Sequence, residues 1–149
     1  MSRVYHKVGL AVVRDNTLLL CRKRNGSGLL ILPGGCIEHG ESHMDCLARE
    51  IREELGPGAR VLSAQFAGSF EAPGADGGIV RVELYVGDLA GTLVASSEIS
   101  ELRWFSPTVD DWDQVAPSLA SGIIPWLIRT GILPDKQQVP SGSVQRTEV

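Results

Sequence analysis

Between Ser42 and Pro57 the chain reads SHMDCLAREIREELGP, and this stretch admits little other than an amphipathic helix with hard stops at both ends. Met44, Leu47, Ala48, Ile51 and Leu55 recur at helical intervals, which gathers them on one core-facing stripe. Ser42 is the expected N-cap, Asp45 supports the first turn, and Gly56 followed by Pro57 ends the helix. Glu50, Glu53 and Glu54 fall on the other side, within an arc of roughly 100° at 3.6 residues per turn. Glu50 and Glu54 are like charges at i, i+4, which destabilise an isolated helix by about 0.2–0.5 kcal/mol. Two readings fit that cluster. One is a solvated acidic face, balanced by Arg49 and Arg52. The other is a divalent-cation site, because a hard ion such as Mg²⁺ is held by carboxylates together with substrate phosphates.

The residues ahead of the helix favour the second reading. Leu32-Pro33-Gly34-Gly35 ends an apolar run, and Gly40-Glu41 stands just before the cap. Two adjacent glycines mark a backbone position from which side chains are excluded, by a sharp bend or by the close approach of a ligand. Taken together, Gly35, Glu41, Arg49, Glu50, Ile51, Glu53, Glu54 and Gly56 resemble the signature of the Nudix hydrolases, the MutT-like superfamily, at its fixed spacing. Pro57 departs from the pattern, where the family usually has an aliphatic residue. It lies beyond the helix and holds no ligand.

That resemblance implies an α/β protein with the Nudix fold, an α/β/α sandwich around a mixed β-sheet. It implies Mg²⁺, with Mn²⁺ as the alternative ion, held by Glu50, Glu53 and Glu54 and by a backbone carbonyl near Gly35. Arg49 and Glu41 become residues that position the helix acids, Glu41 as structural support. The expected catalytic set is Glu50, Glu53, Glu54, Arg49 and Glu98. Glu98 enters because an additional glutamate in the MutT-like branch often precedes a strand Trp, as Glu98 precedes Trp104, with Glu101 as its competitor. The general base stays open among Glu50, Glu53 and Glu98. Arg22, Gly34, Gly35 and Arg81 are the expected substrate-binding residues. A basic residue at the position of Arg22 often contacts phosphate in the family, whereas Lys23 and Arg24 read as a solvated strand end.

The remainder of the chain is consistent with one catalytic domain. Its 149 residues, 43% of them hydrophobic, suit a single core spanning residues 1–133. A net charge of −4 argues against a broad nucleic-acid surface but is compatible with a small nucleotide bridged by metal. No membrane-length apolar run and no leader pattern is seen, so the expected compartment is the cytoplasm and the expected partner a small-molecule nucleotide, on a monomer or homodimer. Cys21, Cys36 and Cys46 have no zinc-type spacing and read as free thiols. His39 and His43 read as exposed. Residues 4–22 read as a β-hairpin turning at Asp15-Asn16, 29–32 as a short strand, 59–70 and 79–89 as strands, and 102–105 as a further one. On 79–89, Val80, Val82, Leu84 and Val86 share one face and Arg81, Glu83 and Tyr85 the other; Arg81 and Tyr85 either line a pocket or face water. Residues 116–132 read as a helix that Pro125 kinks or breaks, with Trp126 in the core. Residues 134–149 lack an apolar period and read as a disordered tail.

The expected reaction is Mg²⁺-dependent hydrolysis of the pyrophosphate bond in a nucleoside diphosphate linked to another group, foremost a nucleoside triphosphate giving NMP and pyrophosphate. The alternative is an ADP-ribose or nucleotide-sugar pyrophosphatase, since a proline some sixteen residues past the signature marks many ADP-ribose enzymes and Pro73 is so placed. A catalytically silent nucleotide sensor on the same fold is the third reading; its usual mark, missing glutamates, is not seen here.

Overall fold

Asp15 and Asn16 both adopt left-handed backbone (φ 51° and 64°), the conformation a two-residue hairpin turn needs, and the chain reverses there. The computed structural model describes residues 3–74 and 76–135; the expected tail falls outside them from residue 136 on. The turn joins β1 (Val4–Arg14) to β2 (Thr17–Lys23). Next come β3 (Gly34–Cys36), α1 (His43–Leu55), β4 (Arg60–Pro73), β5 (Ile79–Ala90), β6 (Ile99–Phe105) and α2 (Ile124–Arg129). The sheet runs β4-β5-β1-β2-β6, with β3 pairing β1 off this path. β1 and β5 are parallel and the other pairs antiparallel, so the sheet is mixed.

Period-two alternation then divides the apolar residues between two layers. Val8, Leu10, Val12 and Leu19 face α1 and bury Cys46, Leu47, Ile51 and Leu55. Ala11, Leu18, Leu20, Val82 and Leu84 face the opposite way and pack on Leu119, Ile123, Ile124 and Leu127. Helices on both faces of a mixed sheet make the expected α/β/α sandwich.

Several boundaries differ from the sequence reading, each for a local reason. Residues 29–32 form two isolated bridges (Cys21 with Ile31, Leu30 with Val115) in place of a strand, and the glycine pair itself pairs with β1 as β3. Met44 is 42% exposed and Ala48 is exposed too, so the buried stripe of α1 is Cys46, Leu47, Ile51 and Leu55, turned slightly from the one the sequence suggests. The expected helix over 116–132 is a π-helical turn, Leu119–Ile123, running into α2. Pro125 sits in the first turn of α2, where its missing N–H costs least, so the break takes the form of a change in helical pitch. Trp126 packs against the core with its ring edge-on to Phe70, centroids 6.1 Å apart.

Candidate active site

The acids owe their position to the two ends of α1 and to the glycine strand beside it. Ser42 Oγ accepts the Asp45 N–H at 3.0 Å and fixes the helix start. At the other end Gly56 takes φ 97°, and the backbone N–H groups of Val94 and Ser96 donate to the carbonyls of Leu55 and Glu54. The segment leading into β6, and with it Glu98, is thereby tied to the last turn of α1.

Glu54 is buried to 2% exposure, where the sequence reading has it on an open acidic face. Its Oε1 accepts the Gly34 N–H at 2.9 Å. Burial pushes its pKa up to about 8; the Gly34 bond and the charge of Lys23 work the other way, and the neighbouring Glu50 adds to the rise. Glu50 is also raised, by burial first, against the opposing charge of Arg49. Its carboxylate lies against the backbone of β3: a Cβ built on Gly35 would stand 2.5 Å from the Glu50 carboxyl carbon. Gly34 is equally constrained, with φ 141° and a would-be Cβ 2.0 Å from the Val8 carbonyl oxygen. The glycine pair is therefore the surface on which two of the three acids rest. Glu53 is the open member, its side chain 54% exposed.

Arg49 organises this group. Nε donates to Glu41 Oε2 at 2.7 Å and Nη2 to Glu41 Oε1 at 3.0 Å, a two-pronged pair that only a guanidinium makes. Nη1 reaches Glu50 at 3.0 Å and Glu53 at 3.6 Å. Glu41 is held down to about 2, chiefly by the Arg49 hydrogen bonds.

A cavity of about 660 Å³, counting the space at its mouth, opens between the sheet and the π-helical turn. Its walls include Leu32, Pro73, Val80, Val82 and Leu119, and its rim carries Gly34, Gly35, Lys7 and Lys23. Lys23 is the cation whose charge acts on both Glu50 and Glu54, and it pairs with Glu98 at 3.6 Å. Arg22 points elsewhere, its guanidinium on Glu101 at 2.9 Å and on the Gly28 carbonyl. The exchange falls at an irregularity in the sheet: the β2–β6 register shifts between Arg22 and Lys23, so that Arg22 stays on Glu101 while Lys23 reaches Glu98 and the cavity. Lys7 and Lys23 are thus the site cations that the sequence reading missed; alternation along β1 points to Lys7, which pairs with Val82 of the cavity wall. Arg81 is not at this cavity. It shares the α1 face with Glu83 and Tyr85, and pairs with Glu71 and Glu83, while Val80 and Val82 line the cavity. Glu98 stands near Glu54, close enough for its charge to raise that group, whereas Glu101 is taken up by Arg22 and Arg103.

The donor set suits a hard divalent ion. Glu50, Glu53 and Glu54 supply oxygens only, and a buried carboxyl whose burial is offset by one backbone N–H and a more distant lysine gains most from a cation beside it.

A NUDIX domain model matches residues 5–126, and the chain belongs to that family. It is 31% identical to an ADP-ribose pyrophosphatase of Methanocaldococcus jannaschii over 63% of this chain and 57% of that protein. It is 35% identical to the CTP pyrophosphohydrolase of Escherichia coli over 67% of this chain and 74% of that protein. The solution structure of the E. coli ORF135 protein superposes with a TM-score of 0.68 at 26% identity, covering 89% of this chain and 95% of that one. The chain spans about half the length of the first relatives it matches.

Proposed function

We propose that the chain is a divalent-metal-dependent pyrophosphohydrolase that adds water across the phosphoanhydride of a nucleoside diphosphate linked to another group, with nucleoside triphosphates as first substrate and NMP and pyrophosphate as products. The observation that carries this reading is the acid group on the glycine strand, set beside an apolar cavity rimmed by Lys7 and Lys23. Glu50, Glu53 and Glu54, with the Gly35 carbonyl, would hold Mg²⁺, or Mn²⁺ in its place. When bound, such an ion neutralises phosphate oxygens and lowers the pKa of a bound water. The chain's own residues do the rest. Arg49 locks Glu41, Glu50 and Glu53 in one arrangement, so that little reorganisation remains for the reaction. Lys23 offers positive charge to the diphosphate, and the apolar walls take the base and exclude water from it. Glu53 and Glu98, with side chains 54% and 61% exposed, are the acids that an attacking water reaches most openly.

The triphosphate reading draws support from the CTP pyrophosphohydrolase relative, of which the chain covers the larger share. ADP-ribose is the second reading, favoured by the ADP-ribose pyrophosphatase relative and by Pro73, which lines the cavity. A panel of nucleoside triphosphates and ADP-ribose, with and without Mg²⁺, separates them by product: NMP with pyrophosphate, or AMP with ribose 5-phosphate. Glu53→Gln and Glu54→Gln should lower kcat by orders of magnitude with the fold intact. Wild-type turnover by both variants would refute the reading, and tight nucleotide binding without turnover by the wild type would establish a sensor.

A further inference from the structure

A second cluster of metal-binding side chains lies apart from the acids, where the start of α1 meets β1 and β5. His6, His43 and Glu83 each present one ligand atom, and the three atoms lie within 4.8 Å of one another. None belongs to the acid group: His43 and Glu50 are seven residues apart on α1, about 10 Å of helical rise. Three distant segments meet here through the parallel pairing of β1 with β5, which sets His6 beside Arg81 and Val8 beside Glu83, and puts His6 and Glu83 on the α1 face.

We propose that His6, His43 and Glu83 form a binding site for a borderline divalent transition ion, Zn²⁺ foremost. Two imidazoles and one carboxylate are the donors such ions prefer, whereas Mg²⁺ selects oxygen. The supporting bonds are those of a held ligand set. The Tyr85 hydroxyl meets His43 Nδ1 at 2.9 Å and so fixes the orientation of the ring. Glu83 is 5% exposed, and its Oε1 accepts the Ser69 hydroxyl. Its Oε2 meets His6 Nε2, with Arg81 Nε at 3.3 Å as the competing cation. Phe66 and Tyr85 wall the site, their centroids 6.5 and 5.8 Å from that of His43. The side chain of His6 is 47% exposed, so an ion can enter from that side and keep water as its remaining ligand. A bound ion would clamp β1, β5 and the start of α1 together.

The test uses the full chain in excess Mg²⁺, which occupies the oxygen site, and titrates Co²⁺ as a spectroscopic probe followed by Zn²⁺. The expected result is one Co²⁺ per chain with the intense visible absorption of low coordination, abolished by Zn²⁺. Zn²⁺ at a hundredfold excess over its Kd should raise the melting temperature by roughly 5–10 °C. His6→Gln and His43→Gln should each lose the absorption and the shift, Tyr85→Phe should weaken binding by roughly 10–100-fold, and Glu53→Gln should keep all of it. The proposal is overturned if both histidine variants respond like the wild type, if Glu53→Gln abolishes the response, or if the bound Co²⁺ shows only the pale spectrum of six-coordination.

Discussion

Replacing Glu54 by Gln should make the metal-free protein more stable in alkaline solution, although it removes a residue at the centre of the site. Gln keeps the shape of the side chain, and its carbonyl oxygen can still accept the Gly34 N–H. What it removes is the cost of ionising a carboxyl that is 2% exposed. The wild-type group moves from an ordinary 4.5 to about 8 on folding, so the folded state binds its proton more tightly than the unfolded state. Stability from this group is complete below pH 4.5 and is lost as pH rises to about 8. Each step of one pH unit in that interval removes about 1.4 kcal/mol, and the whole interval about 5 kcal/mol, a large part of a typical domain stability. Urea unfolding followed by tryptophan fluorescence, in chelator, at pH 5 to 9, measures this directly. The two proteins should lie within about 1 kcal/mol at pH 5, and the Gln variant should lead by about 3–5 kcal/mol at pH 9. Added Mg²⁺ should restore the wild type at pH 9 and do little for the variant, because the amide carries no buried charge for the ion to neutralise and is the weaker ligand. A difference that stays constant from pH 5 to 9 would show that Glu54 ionises freely in the folded protein, and the account of its burial would fail.

Four other substitutions probe how the acids are held and which cation meets the nucleotide. Gly35→Ala drives a Cβ into the Glu50 carboxylate, so kcat should fall at least a hundredfold while the melting temperature drops by only a few degrees; unchanged kinetics would show that Glu50 need not rest on β3. Arg49→Lys keeps the charge but loses the two-pronged bond to Glu41. It should cost about 1–3 kcal/mol of transition-state stabilisation, read from kcat/KM, and should raise the Glu41 pKa, read by carboxyl NMR titration. Lys23→Gln should raise KM for the nucleotide roughly tenfold, whereas Arg22→Gln should leave KM alone and lower the melting temperature through its lost bond to Glu101. The reverse pattern would restore Arg22 as the phosphate contact.

The sheet and the helix were legible because they depend on periodicity and capping. Asp15-Asn16, Ser42 and Gly56 are local signals, and each terminates an element where the backbone demands it. The depth of a side chain is not a local property. A helical wheel gives the angle of Glu54 around α1, but β3 decides that this angle is covered, and β3 lies there because two glycines let it approach Val8 and Glu50. Arg22 and Lys23 are adjacent cations whose fates divide at a register shift in the β2–β6 pairing, an irregularity that neither alternation nor family likeness marks. Arg81 was placed on its correct face by alternation, yet the side on which the cavity opens is set by where the chain after β6 packs, and nothing near residue 81 encodes that.

The site combines a cheap ion pair with an expensive burial, and the two have different jobs. Arg49 and Glu41 sit at the surface of the group and contribute little to global stability, since solvent-screened pairs seldom do. Their geometry matters instead, because one guanidinium spans Glu41, Glu50 and Glu53 and so fixes three carboxylates relative to each other. Glu54 does the opposite: it costs stability at neutral pH and above, and nothing in the apolar core would miss it. A leucine there would fill the same space at lower cost. On the proposed function that cost would become useful when a cation arrives, since a carboxyl held protonated by burial would ionise beside the ion. The two glycines make this possible by bringing a backbone N–H to Glu54 and open space to Glu50 at the same point of the sheet. Fold and site therefore meet at Gly34 and Gly35, where a single methyl group would alter both.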